Sequence, residues 1–294
     1  MRFSYSVSAL GSSATFAERC RSAERAGFDV LFVADHLDGP APFAMLAAAA
    51  CATDELRVGT LVLNSAFWTP RLLVREARTL NELSGGRVEL GLGAGYLKRE
   101  FQEAGIPWEG AARRARRLDE TVRDVRHMLA AADGGTAAPR LAVGGMSEQV
   151  LRTAARRADT VSLSGLFQVR KAPAGTFRLA TAEETAARVR YVREQAGERA
   201  ASLELNALVQ MVVPCDDRRA VAERLTAGPI QEMTADELLS SPFALLGTVA
   251  EMAEQLRRHR AEFGLGHVTV YEPFRDVFAR VIAALRDDEK GTGG

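Results

Sequence analysis

"VGTLVLNSAFWTPRLLVREARTLNELSGGRVELGLGAGY", residues Val58–Tyr96, reads as strand, helix, strand. Its first apolar run ends at Leu63 and passes into the small polar and aromatic residues Asn64–Trp68. Pro70 then stands where a first helical turn tolerates a missing N–H, and apolar residues recur at helical spacing up to Leu83. A second short apolar run follows at Val88–Leu92. Two strands joined by a helix-length crossover lie parallel in one sheet.

The same alternation extends in both directions. Apolar runs at Arg2–Ser8, Asp29–Ala34, Arg57–Leu63, Val88–Leu92, Arg140–Val143, Thr160–Leu163, Leu203–Val212 and His267–Tyr271 read as strands. Amphipathic stretches at Thr15–Ala26, Pro42–Ala52, Pro70–Leu83, Arg113–Ala131, Glu148–Ala158, Ala182–Ala196, Thr248–Phe263 and Pro273–Arg286 read as helices. Strands each followed by a helix predict an α/β fold, a single (β/α)8 TIM barrel over residues 1–287, with active-site residues at the carboxyl ends of its strands. Two stretches exceed an ordinary connection, Gly165–Leu179 with "KAPAGTFRL" and Pro214–Leu246 with a short helix, a Gly-Pro break and an acidic segment. Loops of that length are lids over a site or surface insertions without chemistry. Residues 288–294 are expected to form a disordered tail.

Composition narrows the function classes. The 294 residues carry a formal net charge of zero, so no overall field draws the chain to nucleic acid or an anionic membrane. Cys20, Cys51 and Cys215 match no metal or redox spacing, and the N-terminus alternates like a strand rather than a signal peptide. With no apolar stretch of membrane-spanning length, a cytoplasmic soluble protein is expected.

The strand ends hold the candidate chemistry. Asp35 and His36 follow the second strand, where they read equally as a hydrogen-bonded cap and as a proton-transfer pair. Gly91, Gly93 and Gly95 in "VELGLGAGYLKREF" let backbone approach a flat ligand, without the spacing of a dinucleotide fingerprint. Gly144 and Gly145 precede Ser147 at an N-cap position, a helix start suited to phosphate or carboxylate, or a plain capped turn. The Arg-rich "RRARRLDETVRDVRHML" has apolar residues at helical spacing and interleaved acids, which favours an outer solvated helix over a nucleic-acid patch. His127 and His259 read as structural, and His267 opens the last strand at its amino end, away from catalysis. No Ser-His-Asp order, metal cluster or Walker loop assembles, so the chemistry falls to a cofactor or to very few side chains.

Together "ERAGFDVLFVADHL", the Arg57–Tyr96 block, "FQEAGIPWE", "LAVGGMSEQVLRTAARRAD" and "LLGTVAEMAEQLRRHRAEFGLGHVTVY" resemble the luciferase-like monooxygenase superfamily, in particular its deazaflavin-dependent oxidoreductases. The resemblance implies a barrel whose mouth binds coenzyme F420 or, alternatively, FMN. It implies that Asp35 and His36 lie near the reactive ring as catalytic residues, with His36 as proton donor or acceptor and Asp35 hydrogen-bonding the ring. It places a non-proline cis peptide under the ring, between Thr60 and Val62 and best at Leu61–Val62. Gly93, Ala94 and Gly95 would line the ring's edge, Gly144, Gly145, Met146 and Ser147 would receive the phosphate, and Asn64 and Ser65 are weaker contacts. Tyr96 stands where the sugar-phosphate dehydrogenases of the superfamily carry a glutamate, and Ala94 where the luciferases carry a phosphate-binding arginine.

The resemblance therefore implies hydride transfer between F420 and a small, apolar or aromatic molecule held by Phe67, Trp68 and Tyr96. The rivals are an FMN-dependent two-component monooxygenase with a partner flavin reductase, a flavin-binding protein without turnover, and a cofactor-free lyase. A homodimer is the oligomer the resemblance implies, with no metal.

Overall fold

A computed structural model describes residues 1–131, 136–169, 176–228, 230 and 232–291, with the side chains of 288–291 outside that description. Eight parallel strands form its centre: β1 (Arg2–Val7), β2 (Val30–Val33), β3 (Arg57–Thr60), β4 (Val88–Gly93), β5 (Arg140–Gly144), β6 (Thr160–Leu163), β7 (Glu204–Leu208) and β8 (Leu265–Tyr271). Their order is β3-β2-β1-β8-β7-β6-β5-β4, and the pairs Val58↔Val88 and Gly59↔Glu89 between β3 and β4 close the ring. This is the (β/α)8 barrel that the alternation of strands and helices predicts.

The surrounding helices are α1 (Ser13–Arg25), α2 (Pro42–Ala52), α3 (Pro70–Leu83), α4 (Ala111–Ala130), α5 (Glu148–Arg157), α6 (Ala182–Ala196), α7 (Val249–Phe263) and α8 (Arg275–Gly291). Their starts follow local chemistry. Ser12 and Ser147 accept the N–H of Thr15 and Val150, while Thr181 with Glu184 and Thr248 with Glu251 form reciprocal capping boxes. The Arg-rich α4 buries Ala115, Leu118, Val122, Val125 and Leu129 on one face, which makes it the outer helix its spacing predicts.

Apolar residues of the strands and helices pack between the two layers, whereas the barrel interior combines a small apolar cluster, Val30, Phe32 and Leu61, with buried polar side chains. Ser4 Oγ lies 2.9 Å from His267 Nε2 and 2.6 Å from Thr269 Oγ1, and Thr269 donates to Asn206 Oδ1 at 3.0 Å. At the amino end of the strands Arg2 pairs with Glu89 and, at 2.7 Å, with Glu204, while Arg57 reaches Glu89 at 2.8 Å. His267 belongs to this floor, 3.3 Å from Glu204, at the end of the barrel opposite any strand-end site.

Three segments depart from the sequence reading. Leu203–Val212 reads as one strand, but the barrel strand ends at Leu208; the N–H of Gln210 then donates to Phe243 O, and Met211–Pro214 pairs in parallel with Ala244–Gly247. The apolar Met211–Val213 finds its match in the fully buried Ala244–Leu246, which draws the chain out of the barrel. That pairing anchors the long insertion, whose acidic part is a second short helix, Ala235–Ser240, after Arg218–Ala227. Within Gly165–Leu179, Leu166–Gln168 runs antiparallel to Phe177–Leu179, and 170–175 lie outside the described residues. Third, the strand read to Leu63 is interrupted at residues 61–62 and resumes as Leu63–Asn64 against the end of β4. Of the tail expected at 288–294, residues 292–294 lie outside the described residues. Among the described residues no helix is long and apolar enough to cross a membrane.

Candidate active site

The carboxyl end of β2 delivers Asp35 and His36 to different partners. Asp35 Oδ2 accepts the backbone N–H of Asn64 at 3.2 Å and the indole N–H of Trp68 at 2.9 Å. Its own backbone N–H points to Val62 O at 3.4 Å, so one residue ties the end of β2 to the whole corner after β3. Burial pushes the Asp35 carboxyl above the usual carboxylate range, and the donors Trp68 and Asn64 act against that rise. Trp68 also packs edge-on against Phe43, with ring centroids 5.3 Å apart. Phe67 turns away from it onto Phe101 at 5.7 Å.

His36 faces the mouth, its side chain 41% exposed, and its Nδ1 lies 2.8 Å from Oε1 of Glu100. Glu100 comes from the short helix Lys98–Glu103 after β4 and is itself buried. Tyr96 stands edge-on to the His36 ring at 6.0 Å, and Phe177 from the hairpin after β6 stands edge-on to Tyr96 at 5.6 Å.

Between these groups lies the corner after β3. The peptide Leu61–Val62 is cis, at the bond the family resemblance implies. Val62 spreads across the mouth: a Cβ on Gly93 would lie 2.5 Å from its Cγ2, and one on Gly144 2.9 Å from its Cγ1. The two glycines therefore admit the Val62 side chain, a closer physical reason than contact with a ligand's edge. Gly95 has φ +70°, and a Cβ there would come within 2.6 Å of the Asn64 amide. Asn64 Oδ1 accepts the N–H of Ala66 at 3.1 Å, which leaves its Nδ2 buried without a partner; the adjacent Ser65 Oγ is equally buried and unpartnered. Ala94 follows β4 beside them. Arg114 from α4 donates through Nε to Gly95 O at 3.2 Å while its guanidinium covers the Trp108 ring at 3.8 Å.

At the end of β5, Gly145 donates its N–H to Ser162 O at 3.0 Å and Ser147 caps α5. Met146 is buried, with its side chain in the apolar layer, so that side chain is not available to a ligand. Ser147 takes the Val150 N–H, which leaves the amides of Glu148 and Gln149 without a partner inside the helix, as an anion site requires.

The structure thus brings together Asp35, Trp68 and Asn64 in one cluster and His36, Glu100, Tyr96 and Phe177 in another. Sequence reasoning missed Glu100, Arg114 and Phe177. An acid within "LKREFQEAG" looks like any solvated charge, and only its step beside the buried Phe101 hints otherwise. Outside the barrel, a cavity of about 550 Å³ lined by Arg218, Arg258 and His259 contains none of these residues.

Comparison with known proteins shows the family and the fold. The family described as luciferase-like monooxygenase matches residues 2–270. A 5,10-methylenetetrahydromethanopterin reductase of Archaeoglobus fulgidus is 37% identical over 103 residues, 35% of this chain and 31% of that protein. An F420-dependent glucose-6-phosphate dehydrogenase of Intrasporangium calvum is 38% identical over 117 residues, 36% of this chain and 35% of that protein. The chain thus matches about a third of the length of these relatives. Among solved structures, an F420-dependent secondary alcohol dehydrogenase in complex with an F420-acetone adduct superposes with a TM-score of 0.72 at 19% identity, covering 97% of this chain and 98% of the other. The long-chain alkane monooxygenase LadA reaches 0.74 at 14% identity, covering 98% and 92%. With the family match running from residue 2 to residue 270, the protein belongs to the luciferase-like monooxygenase family.

Proposed function

We propose that this protein is an F420-dependent oxidoreductase that moves a hydride between the deazaflavin ring and a small organic substrate. The observation that carries the reading is the pairing of His36 with Glu100 at 2.8 Å beside a strand corner whose Asn64 Nδ2 and Ser65 Oγ are buried and unpartnered. Buried polar atoms without partners are costly, and a small shift of this corner would open both to the polar edge of a planar heterocycle. The residues present therefore fit such a group. F420 supplies hydride donation or acceptance when bound.

In this reading the chain's own residues do the rest. Asp35 holds the corner of β3 against β2, and Val62 with Gly93, Ala94 and Gly95 forms the surface for the ring. The backbone of Gly144–Ser147 at the start of α5 receives the phosphate. His36 exchanges a proton with the substrate, and Phe67, Tyr96 and Phe177 bound an apolar or aromatic space above it. Trp68 supports that space through its ring, since its indole N–H is committed to Asp35. The protein works as a homodimer, whose mass light scattering measures.

The likeness to LadA favours a second reading, an FMN-dependent monooxygenase fed by a flavin reductase. Titration of the protein with F420 and with oxidised and reduced FMN, followed by fluorescence, separates the two. Selective F420 binding, with oxygen-independent exchange of substrate hydrogen that falls about 10²-fold or more in His36→Ala, is the expected outcome. Selective binding of reduced FMN with oxygen uptake would replace the first reading by the second.

A further inference from the structure

We propose that Glu100 is a positioning residue that fixes the tautomer of His36, keeping the ring proton on Nδ1 and leaving Nε2 as the exchanging atom. Its use in turnover rests on the redox reading above; the tautomer itself does not.

Only Glu100 and Phe101 are buried in the helix Lys98–Glu103, and the Glu100 side chain is 6% exposed. A carboxylate so placed needs a donor. The group within reach is His36 Nδ1, 2.8 Å from Oε1. An ionised carboxylate only accepts, so the bond requires the proton on Nδ1. With that nitrogen taken, a proton passing through the ring enters or leaves at Nε2. The ring itself is exposed toward the mouth, while Tyr96 stands edge-on at 6.0 Å and limits its tilt. When His36 accepts a proton at Nε2, the resulting imidazolium lies against the Glu100 charge, which stabilises it in place.

The opposite arrangement is chemically distinct. A protonated Glu100 would donate to Nδ1 and leave the ring proton on Nε2. Nitrogen-15 NMR of the labelled full chain without cofactor distinguishes the two, because protonated and unprotonated ring nitrogens resonate far apart. The chain has four histidines, and the loss of one pair of signals in His36→Gln assigns the ring. The measurement is made near pH ~8.5, well above the usual imidazole range.

The expected result is a wild-type His36 with Nδ1 protonated and Nε2 bare, and a reversal of the two signals in Glu100→Leu. A wild-type ring with its proton on Nε2 overturns the proposal, as does an unchanged tautomer in Glu100→Leu. Should that variant fail to fold, the wild-type spectrum alone decides. Cofactor titration of the same sample keeps the two ideas apart: failure to bind F420 or FMN would remove the redox reading while the wild-type tautomer still decides the role of Glu100.

Discussion

Asp35 accepts the indole N–H of Trp68 at 2.9 Å, and through that bond the end of one barrel strand holds the corner that follows the next. The same oxygen takes the N–H of Asn64, so the carboxylate organises the corner that buries the unpartnered Asn64 amide. Replacing Trp68 with Phe keeps most of the packing against Phe43 and removes the donor. Urea unfolding is expected to show a loss of about 1–2 kcal/mol, and F420 affinity is expected to fall several-fold as Asn64 loosens. Unchanged affinity and stability would mean that the corner stands without this bond.

Glu204 gathers the barrel floor. It takes Arg2 at 2.7 Å, Thr160 at 3.0 Å and Arg140 at 3.3 Å, and His267 lies 3.3 Å away. Burial by itself would raise its carboxyl, but His267 and Arg2 outweigh burial and hold it well below the usual carboxylate range. A depressed acid contributes stability above its unfolded value, near ~4.3, and that contribution is lost as pH falls toward the folded value. Glu204→Gln is expected to cost about 2–3 kcal/mol at neutral pH, since it removes the charge that Arg2 shares with Glu89 and the carboxylate that Arg140 reaches. The variant should also lose less stability than wild type below pH ~4.3, which denaturant melts across that range would reveal.

His259 acts in a different window. It is 3% exposed, its Nδ1 has no partner, and burial, then the nearby Arg258 and Arg218, pushes it down to about 4. The unfolded chain therefore binds a proton below pH ~6.5 that the folded chain resists, and stability falls as pH drops from there toward the folded value. At roughly 1.4 kcal/mol per pH unit the full effect is about 3 kcal/mol. His259→Leu is expected to flatten the stability profile over that interval. A variant profile parallel to that of wild type would show that the imidazole is charged in the fold.

Much of this architecture was legible because barrel strands are short, apolar and regularly followed by helices. The elements around Val58–Tyr96 and the N-cap at Ser147 needed only local pattern. Where two apolar runs meet with a single break, pattern fails: Gln210 separates Leu205–Val209 from Met211–Val213, and nothing local says that the second run pairs with Ala244–Leu246. The site was half legible for a similar reason. Asp35 and His36 stand at a strand end, where function is expected, whereas Glu100 matters only through a fold that returns it to His36 across 64 positions. Gly93 reads as a ring edge and Gly144 as part of a phosphate turn, whereas the room both leave for Val62 belongs to three strands at once.

That last relationship yields a coupled test. A methyl group at Gly93 would sit 2.5 Å from Val62 Cγ2 but 3.5 Å from its Cβ, so the conflict is with the branched end of one side chain. Gly93→Ala should force Val62 aside, cost about 1–3 kcal/mol through overpacking, and weaken F420 binding by displacing the surface on which the ring rests. Val62→Ala removes the atom that collides, so in the double variant the added methyl occupies space that Val62 has vacated. Residues in contact couple by about 0.5–3 kcal/mol, and a double-mutant cycle of unfolding free energies should return a favourable interaction of that size. Additive losses would mean that Gly93 is required by backbone conformation or by a ligand rather than by Val62. Since Gly144 would meet the other Val62 methyl at 2.9 Å, the same Val62→Ala background should also soften Gly144→Ala.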